Sequence, residues 1–362
     1  MNTDIPEYTS PPLNTSVAAS DDETGEINYI YRTAYPLNVI YLVIGFLGLL
    51  GNVFVVVVIF SSKIMRIHRT NIFIVNQCFI DATVAVFLIL TTIFENDGRQ
   101  FDASNVSDVL LCKLWLNKLW LWSFLVSSTY NLMALTFERY LAIVHPFVHK
   151  VKVTSGKLAL TLAAVWLIGP LYNMAYMLPS TVIKQHGNCS VYSEWPSART
   201  QNIVGVVTII FQFIIPLFFQ IACYALIALN LRRRLEPPAS GHDAQSRGSL
   251  VSPTGGNELH NQNISSALKN IIKTVFIVSI CFLFCWTWNQ IYYLMFHLNH
   301  DGAASFSSTF YNFTVVMVFV NCCVNPFVYS AKYKAFQRAT KNLFCGTHHR
   351  LWGSNSSEMT PT

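Results

Sequence analysis

The apolar positions of the chain gather into seven long runs, at residues 38–60, 72–94, 114–144, 158–178, 203–231, 271–298 and 308–329, with short polar segments between them. Each reaches the roughly 20 residues that a helix needs to cross a ~30 Å hydrocarbon layer. In lipid only a helix or a closed barrel satisfies its own backbone polar groups. The pattern therefore predicts an all-α membrane protein, a seven-transmembrane helix bundle. The third run is the longest: about thirty residues at 1.5 Å rise give a helix of roughly 45 Å, which must tilt to fit. Ser127, Ser128, Thr129 and Asn131 in its middle are small or polar, a composition that suits a helix enclosed by others. Beyond the seventh run, residues 332–344 set Tyr333, Phe336 and Leu343 against Lys334, Arg338 and Lys341, which predicts a short amphipathic helix on the inner membrane surface.

Composition sharpens this reading. Of 362 residues 52% are hydrophobic and 12% charged, against about 25% charged in a soluble domain, so a water-soluble globule is excluded. Of the 24 Lys and Arg residues, all but Arg32, Arg99, Lys113, Lys118, Lys184 and Arg199 fall in segments on one side of the predicted bundle. Positive charge marks the cytoplasm, so the expected protein is a multi-pass plasma-membrane protein with its N-terminus outside. Three parts follow. Residues 1–36 form an acidic, Ser/Thr/Pro-rich outer tail, expected to be disordered. Residues 37–345 form the membrane domain, with 235–268 a disordered third inner loop, and 346–362 form an inner tail. Residues 1–36 lack a basic head and an apolar core, so the first span is expected to direct insertion. The net charge of +6 describes inner loops facing anionic lipid and cytosolic partners, and gives no reason to invoke nucleic acid.

Chemistry sits at a few positions. Asp81 lies mid-membrane, where an ionisable group costs about 2.5 to 3.5 kcal/mol, so it should face the interior and serve a purpose. The alternative is a protonated Asp81 that only joins two helices. Glu138-Arg139-Tyr140 places an acid–base pair at the inner end of the third run. Among nine cysteines only Cys112 and Cys189 fall on the oxidising side, which reads as one disulfide, two free thiols being the alternative. The outer sequons Asn14, Asn105 and Asn188 are candidate glycosylation sites, and Cys345, at the end of the amphipathic segment, is a candidate for palmitoylation. Acidic Glu95, Asp97, Asp102 and Asp108 outnumber Arg99 in the first outer loop, a rim suited to steering a cationic ligand.

Taken together, Gly51-Asn52, Asp81, Cys112, Glu138-Arg139-Tyr140, Trp166, Cys189, Pro216 with Tyr224, Phe282 with Cys285-Trp286, Asn325-Pro326-Phe327-Val328-Tyr329 and Phe336 each fall in their own run. The chain resembles the rhodopsin-like (class A) G-protein-coupled receptors over about residues 37–345. That resemblance implies a receptor and not an enzyme. It implies that Glu138 holds Arg139 at rest and releases it as the sixth helix swings out to admit a heterotrimeric G protein, with arrestin and a receptor kinase as further partners. Tyr224 and Tyr329 would then turn toward Arg139, and Phe282 with Trp286 would sense ligand. Asp81, Ser128, Asn321 and Asn325 match the family's sodium pocket, with a water-filled polar cluster as the alternative; no other cofactor is implied. Two departures stand out. Trp286-Thr287-Trp288 lacks the proline usual two positions after the tryptophan, and the interval from Cys112 to Arg139 is about two residues longer than is usual in the family.

Absences narrow the ligand. No acidic residue lies between 117 and 125 to hold an amine, and no lysine lies between 310 and 329 to form a retinal Schiff base. The candidate pocket is Glu95, Trp122, Trp288, Tyr292 and Tyr311. An aromatic mouth with acidic rims suits a peptide, and the sequence is similar to invertebrate neuropeptide-type receptors. The competing class is an ion-coupled transporter or channel using Asp81, although no inverted repeat is visible.

Overall fold

The computed structural model describes residues 22–67, 69–94, 100–184, 187–235, 255–298 and 308–353. Seven helices cross the membrane: Pro36–Ser61, Thr70–Ile93, Val106–Val144, Ser155–Ser180, Ala198–Arg232, Ile272–Leu298 and Thr309–Lys332. The first packs on the second and seventh, the sixth on the seventh, and the third on the second, fourth and fifth. The third is therefore the axis of the bundle, and Ser127, Ser128, Thr129 and Asn131 on it are all buried.

Helix boundaries extend past the apolar runs. The first helix begins at Asp22, so residues 22–36, expected as tail, are helical and lead into the span. The sixth helix begins at Gly255, inside the expected inner-loop linker; extending an existing helix gains one hydrogen bond per residue and needs no new nucleus. The helix after the seventh span runs Lys334–Gly353, beyond the expected 344.

The third span is not one straight helix. It comprises Val106–Leu110, a wide π-turn over Leu111–Leu116, and Leu119–Val144. At the join the Asn117 amide donates five residues back to Cys112 (3.3 Å). Lys118 adopts the left-handed conformation (φ 56°), and the Asn117 side chain caps the restarted helix by accepting from the Leu119 amide (2.8 Å). A π-turn inserts a residue into a helix. The surplus in the Cys112–Arg139 interval is accommodated here.

Prolines in the other spans create similar gaps, and buried side chains fill them. The fifth span is wide over Ile210–Ile214, just before Pro216. In that register the Phe211 carbonyl would bond to residue 216, but proline has no N–H; Tyr130 donates to it instead, at 2.9 Å. Pro326 likewise leaves the Cys322 carbonyl without its helical partner, and Asn52 donates to it across from the first span (2.9 Å). This is the purpose of an amide in an otherwise apolar run. The sixth helix contains no proline in its membrane span; Thr287 bonds back to the Leu283 carbonyl (2.7 Å), a pairing that bends helices modestly.

Candidate functional site

Three polar assemblies lie along the third span. At the disulfide end, Cys112 and Cys189 are joined, 77 residues apart in sequence. The bond holds a two-stranded hairpin, Val182–Ile183 against Cys189–Ser190, over the bundle. Beneath the loop is a small cavity of about 40 Å³. Trp122, Tyr176 and Tyr311 give it aromatic walls, and Gln212, Asn289 and Gln290 give it amides. Tyr192 enters from the loop with positive φ (54°), a costly conformation for an aromatic residue that is found at ligand clamps. Burial pushes the Tyr192 hydroxyl well above the usual phenol range, so it remains an uncharged donor. Among the described residues no carboxylate or ammonium group lines this cavity, and Gln290 Oε1 has no hydrogen-bond partner. In the loop between the second and third spans, the Ser104 amide and hydroxyl hold the Asp102 carboxyl below the usual carboxylate range, so it is ionised.

One turn below the cavity, Trp286 is buried and packs on Phe282 with ring centroids 5.6 Å apart. Asp81 lies deeper, fully buried, and accepts from Ser128 Oγ (2.9 Å), Asn325 Nδ2 (2.7 Å) and Gln77 Nε2 (3.0 Å). A chain of bonds continues to Asn131, Asn76 and Trp166, so the second, third, fourth and seventh spans share one network.

The third assembly closes the opposite end. Arg139 Nε donates to Glu138 Oε2 at 2.8 Å, both side chains almost wholly buried. Glu138 also meets His149 Nε2 (3.0 Å) and the Thr70 hydroxyl (3.2 Å). Tyr224 is engaged with Ser279 (3.0 Å) and Tyr329 OH has no partner, so neither tyrosine is bonded to Arg139. Asn270 on the sixth helix bonds the Lys332 carbonyl and the Lys334 amide, both at 2.9 Å, clasping the joint between the seventh span and the terminal helix. This is a closed arrangement.

The sequence over residues 51–329 matches the model of the 7 transmembrane receptor (rhodopsin family). The chain belongs to that family. It is a G-protein-coupled receptor by family, a multi-pass protein of the plasma membrane, and not an enzyme. It is similar to the human Substance-K receptor, 26% identical over 329 residues that cover 89% of this chain and 76% of the relative.

In this receptor the expected site residues fall as follows. Glu138, Arg139, Tyr224, Asn325, Pro326 and Tyr329 lie in the half of the bundle away from the disulfide, with Phe282 and Trp286 between them and the cavity. Tyr140 points away, to His145 (3.1 Å). Trp122 and Tyr311 line the cavity. Trp288 does not: it packs on Phe284 and Phe313 at the outer surface of the bundle. Two residues past Trp286 is a rotation of about 200° around the helix, so when Trp286 faces inward Trp288 faces lipid. Tyr292 is bonded to Ser308 (2.9 Å) and is not part of the lining. Asn321 is buried but is not among the hydrogen-bond partners of Asp81. Asn105 and Asn188 are exposed. Glu95 and Asn14 lie outside the described residues, as does the side chain of Cys345. Gln77, Thr70, His149 and Asn270 were not anticipated. Only the polarity of Gln77 within an apolar run offered a signal.

The disulfide closes a long loop, and removing such a bond costs roughly 2–4 kcal/mol. Cys112→Ala is therefore expected to lower the thermal midpoint of the purified receptor by several degrees. Reducing agent should do the same to the native chain and nothing further to the variant. An unchanged midpoint in both would remove the bond from this account.

Proposed function

We propose that the chain receives an extracellular peptide in the cavity beneath the Cys112–Cys189 loop and passes the event to a heterotrimeric G protein at Arg139. In this reading the N-terminus and the disulfide lie outside the cell and Arg139 faces the cytosol. The observation that carries the proposal is the placement of cavity and closed ion pair on one helix. Trp122 and Arg139 are 17 residues apart, which is about 25 Å of helix. A ligand that displaces Tyr192 or presses on Trp286 acts on the same bundle whose far end holds the latch.

The ligand class follows from the lining. Without a carboxylate it offers no counter-charge to an amine, and without an ammonium group it offers none to an acid. Gln212, Asn289 and Gln290 match peptide amides, and the aromatic walls match apolar side chains. Ionised Asp102 in the loop between the second and third spans favours basic residues on the part that stays outside. The similar human receptor is named for substance K, which is compatible with this class.

A neuropeptide library screened on cells expressing the full chain and a panel of G-protein reporters tests the proposal. A peptide active only in these cells is expected. Its potency should fall about tenfold or more in Gln290→Ala, the loss of one buried hydrogen bond. Ion flux in reconstituted vesicles with no G-protein response to any peptide would instead favour transport through Asp81.

A further inference from the structure

The family match brings with it a sodium ion expected at Asp81. The residues present do not fit one. A carboxylate offers about four lone-pair directions on its two oxygens, and three side-chain donors converge on them, with the Gln77 amide shared between both oxygens. Asp81 Oδ1 accepts from Ser128 Oγ (2.9 Å) and Gln77 Nε2 (3.0 Å). Oδ2 accepts from Asn325 Nδ2 (2.7 Å) and Gln77 Nε2 (3.2 Å). A hard cation needs several oxygen lone pairs directed at it, whereas Ser128, Asn325 and Gln77 all direct hydrogens at the carboxylate, and of their own oxygens Asn325 Oδ1 alone lacks a hydrogen-bond partner.

We propose that Gln77 takes the place of a cation in this receptor. Its amide nitrogen bridges Asp81 Oδ1, Asp81 Oδ2 and Ser128 Oγ, oxygens that an ion between the second and third spans would need. The N–H groups present a fixed partial positive charge to them. Gln77 is itself held firmly: it is 2% exposed, and its Oε1 accepts from Asn131 Nδ2 at 2.8 Å. Asn131 is bonded in turn to the Phe73 carbonyl (3.1 Å) and to Asn76 (2.8 Å), and Asn76 to the Trp166 indole (2.9 Å). Turning the Gln77 amide to present oxygen to an ion would set its nitrogen against the Asn131 donor. The orientation is fixed from both ends. The core of the resting bundle is closed by its own side chain and is indifferent to sodium.

The test is thermal unfolding of the purified full chain in NaCl against choline chloride at equal ionic strength. The native chain should show the same midpoint in both. Gln77→Leu keeps the volume and removes the amide. It should be less stable in choline and gain with sodium, by about tenfold in the folded-to-unfolded ratio when sodium is ten times its Kd. Asp81→Asn in that background should abolish the gain. A sodium-specific rise in the native chain overturns the proposal. So does a Gln77→Leu chain that folds and ignores sodium, because something other than the amide would then exclude the ion. If Gln77→Leu does not reach the membrane, sodium-23 line width decides: equal widths for the native chain and Asp81→Asn support the proposal, and a broader line with the native chain overturns it.

Discussion

Glu138→Gln is expected to raise ligand-free nucleotide exchange on a reconstituted heterotrimeric G protein by about tenfold or more. Glu138 is the acceptor for Arg139, His149 and Thr70 at once. The glutamine is nearly isosteric but uncharged, so it keeps the packing and loses the charge-assisted bonds. Such bonds contribute about 1.5–3 kcal/mol each, and every 1.4 kcal/mol is a factor of ten in a two-state population. The closed state loses this contribution. The open state, in which Arg139 has left Glu138, does not. Exchange measured with vesicles of equal receptor content reads the difference directly. An unchanged basal rate would mean that the pair is merely two buried charges side by side.

The largest effect on folding is expected at Gly169. A Cβ there would lie 1.9 Å from the Ser123 carbonyl oxygen and 2.7 Å from Ser127 Oγ. The first of these is backbone and cannot swing aside. Gly169→Val must therefore separate the third and fourth spans, break the Asn173–Ser123 bond (3.3 Å) and strand buried polar groups between them. Overpacking of this kind costs about 1–3 kcal/mol before the lost bonds are added, and helix pairs in lipid rely on close approach at small residues. Surface labelling of Gly169→Val should fall below about a tenth of the native level, a change of the size these energies imply. Gly156→Ala, where no atom lies within 4 Å, is the matched control and should be neutral. Normal delivery of Gly169→Val would show that the two helices are not in this contact.

Much of the architecture could be read from the chain because lipid imposes a simple requirement. A run of about twenty apolar residues in a membrane must close its own hydrogen bonds, so all seven spans and the family assignment followed from pattern and motif. The partnership of Cys112 with Cys189 was legible because few cysteines lie in the loops at that end of the bundle. Contacts that depend on rotation around a helix were not. Trp288 and Trp286 are indistinguishable by composition, yet their faces differ by about 200°. The interruption at Lys118 left only an arithmetic trace, a third span two residues too long. Asn117 supplies the physical cause by capping the restart, and an asparagine near a helix end is too common to announce that role.

The inner latch was legible only in part. Glu138 and Arg139 are neighbours in sequence, but Thr70 lies 68 residues from Glu138, and nothing local in either segment couples them. Gln77 is hard to read for a similar reason: it lies one turn from the charged Asp81, and an amide there can face almost any neighbour. The structure shows that the amide is central to the polar core and that Asn321, named by resemblance, is not among the hydrogen-bond partners of Asp81.

The central claim is that Arg139, once freed, acts on a G protein. Nucleotide exchange by the double variant Glu138→Gln/Arg139→Ala, compared with Glu138→Gln alone in the same vesicles, tests it most directly. Exchange by the double variant is expected to fall to the level of receptor-free vesicles at undiminished receptor content. Exchange persisting at the level of Glu138→Gln alone would contradict the account.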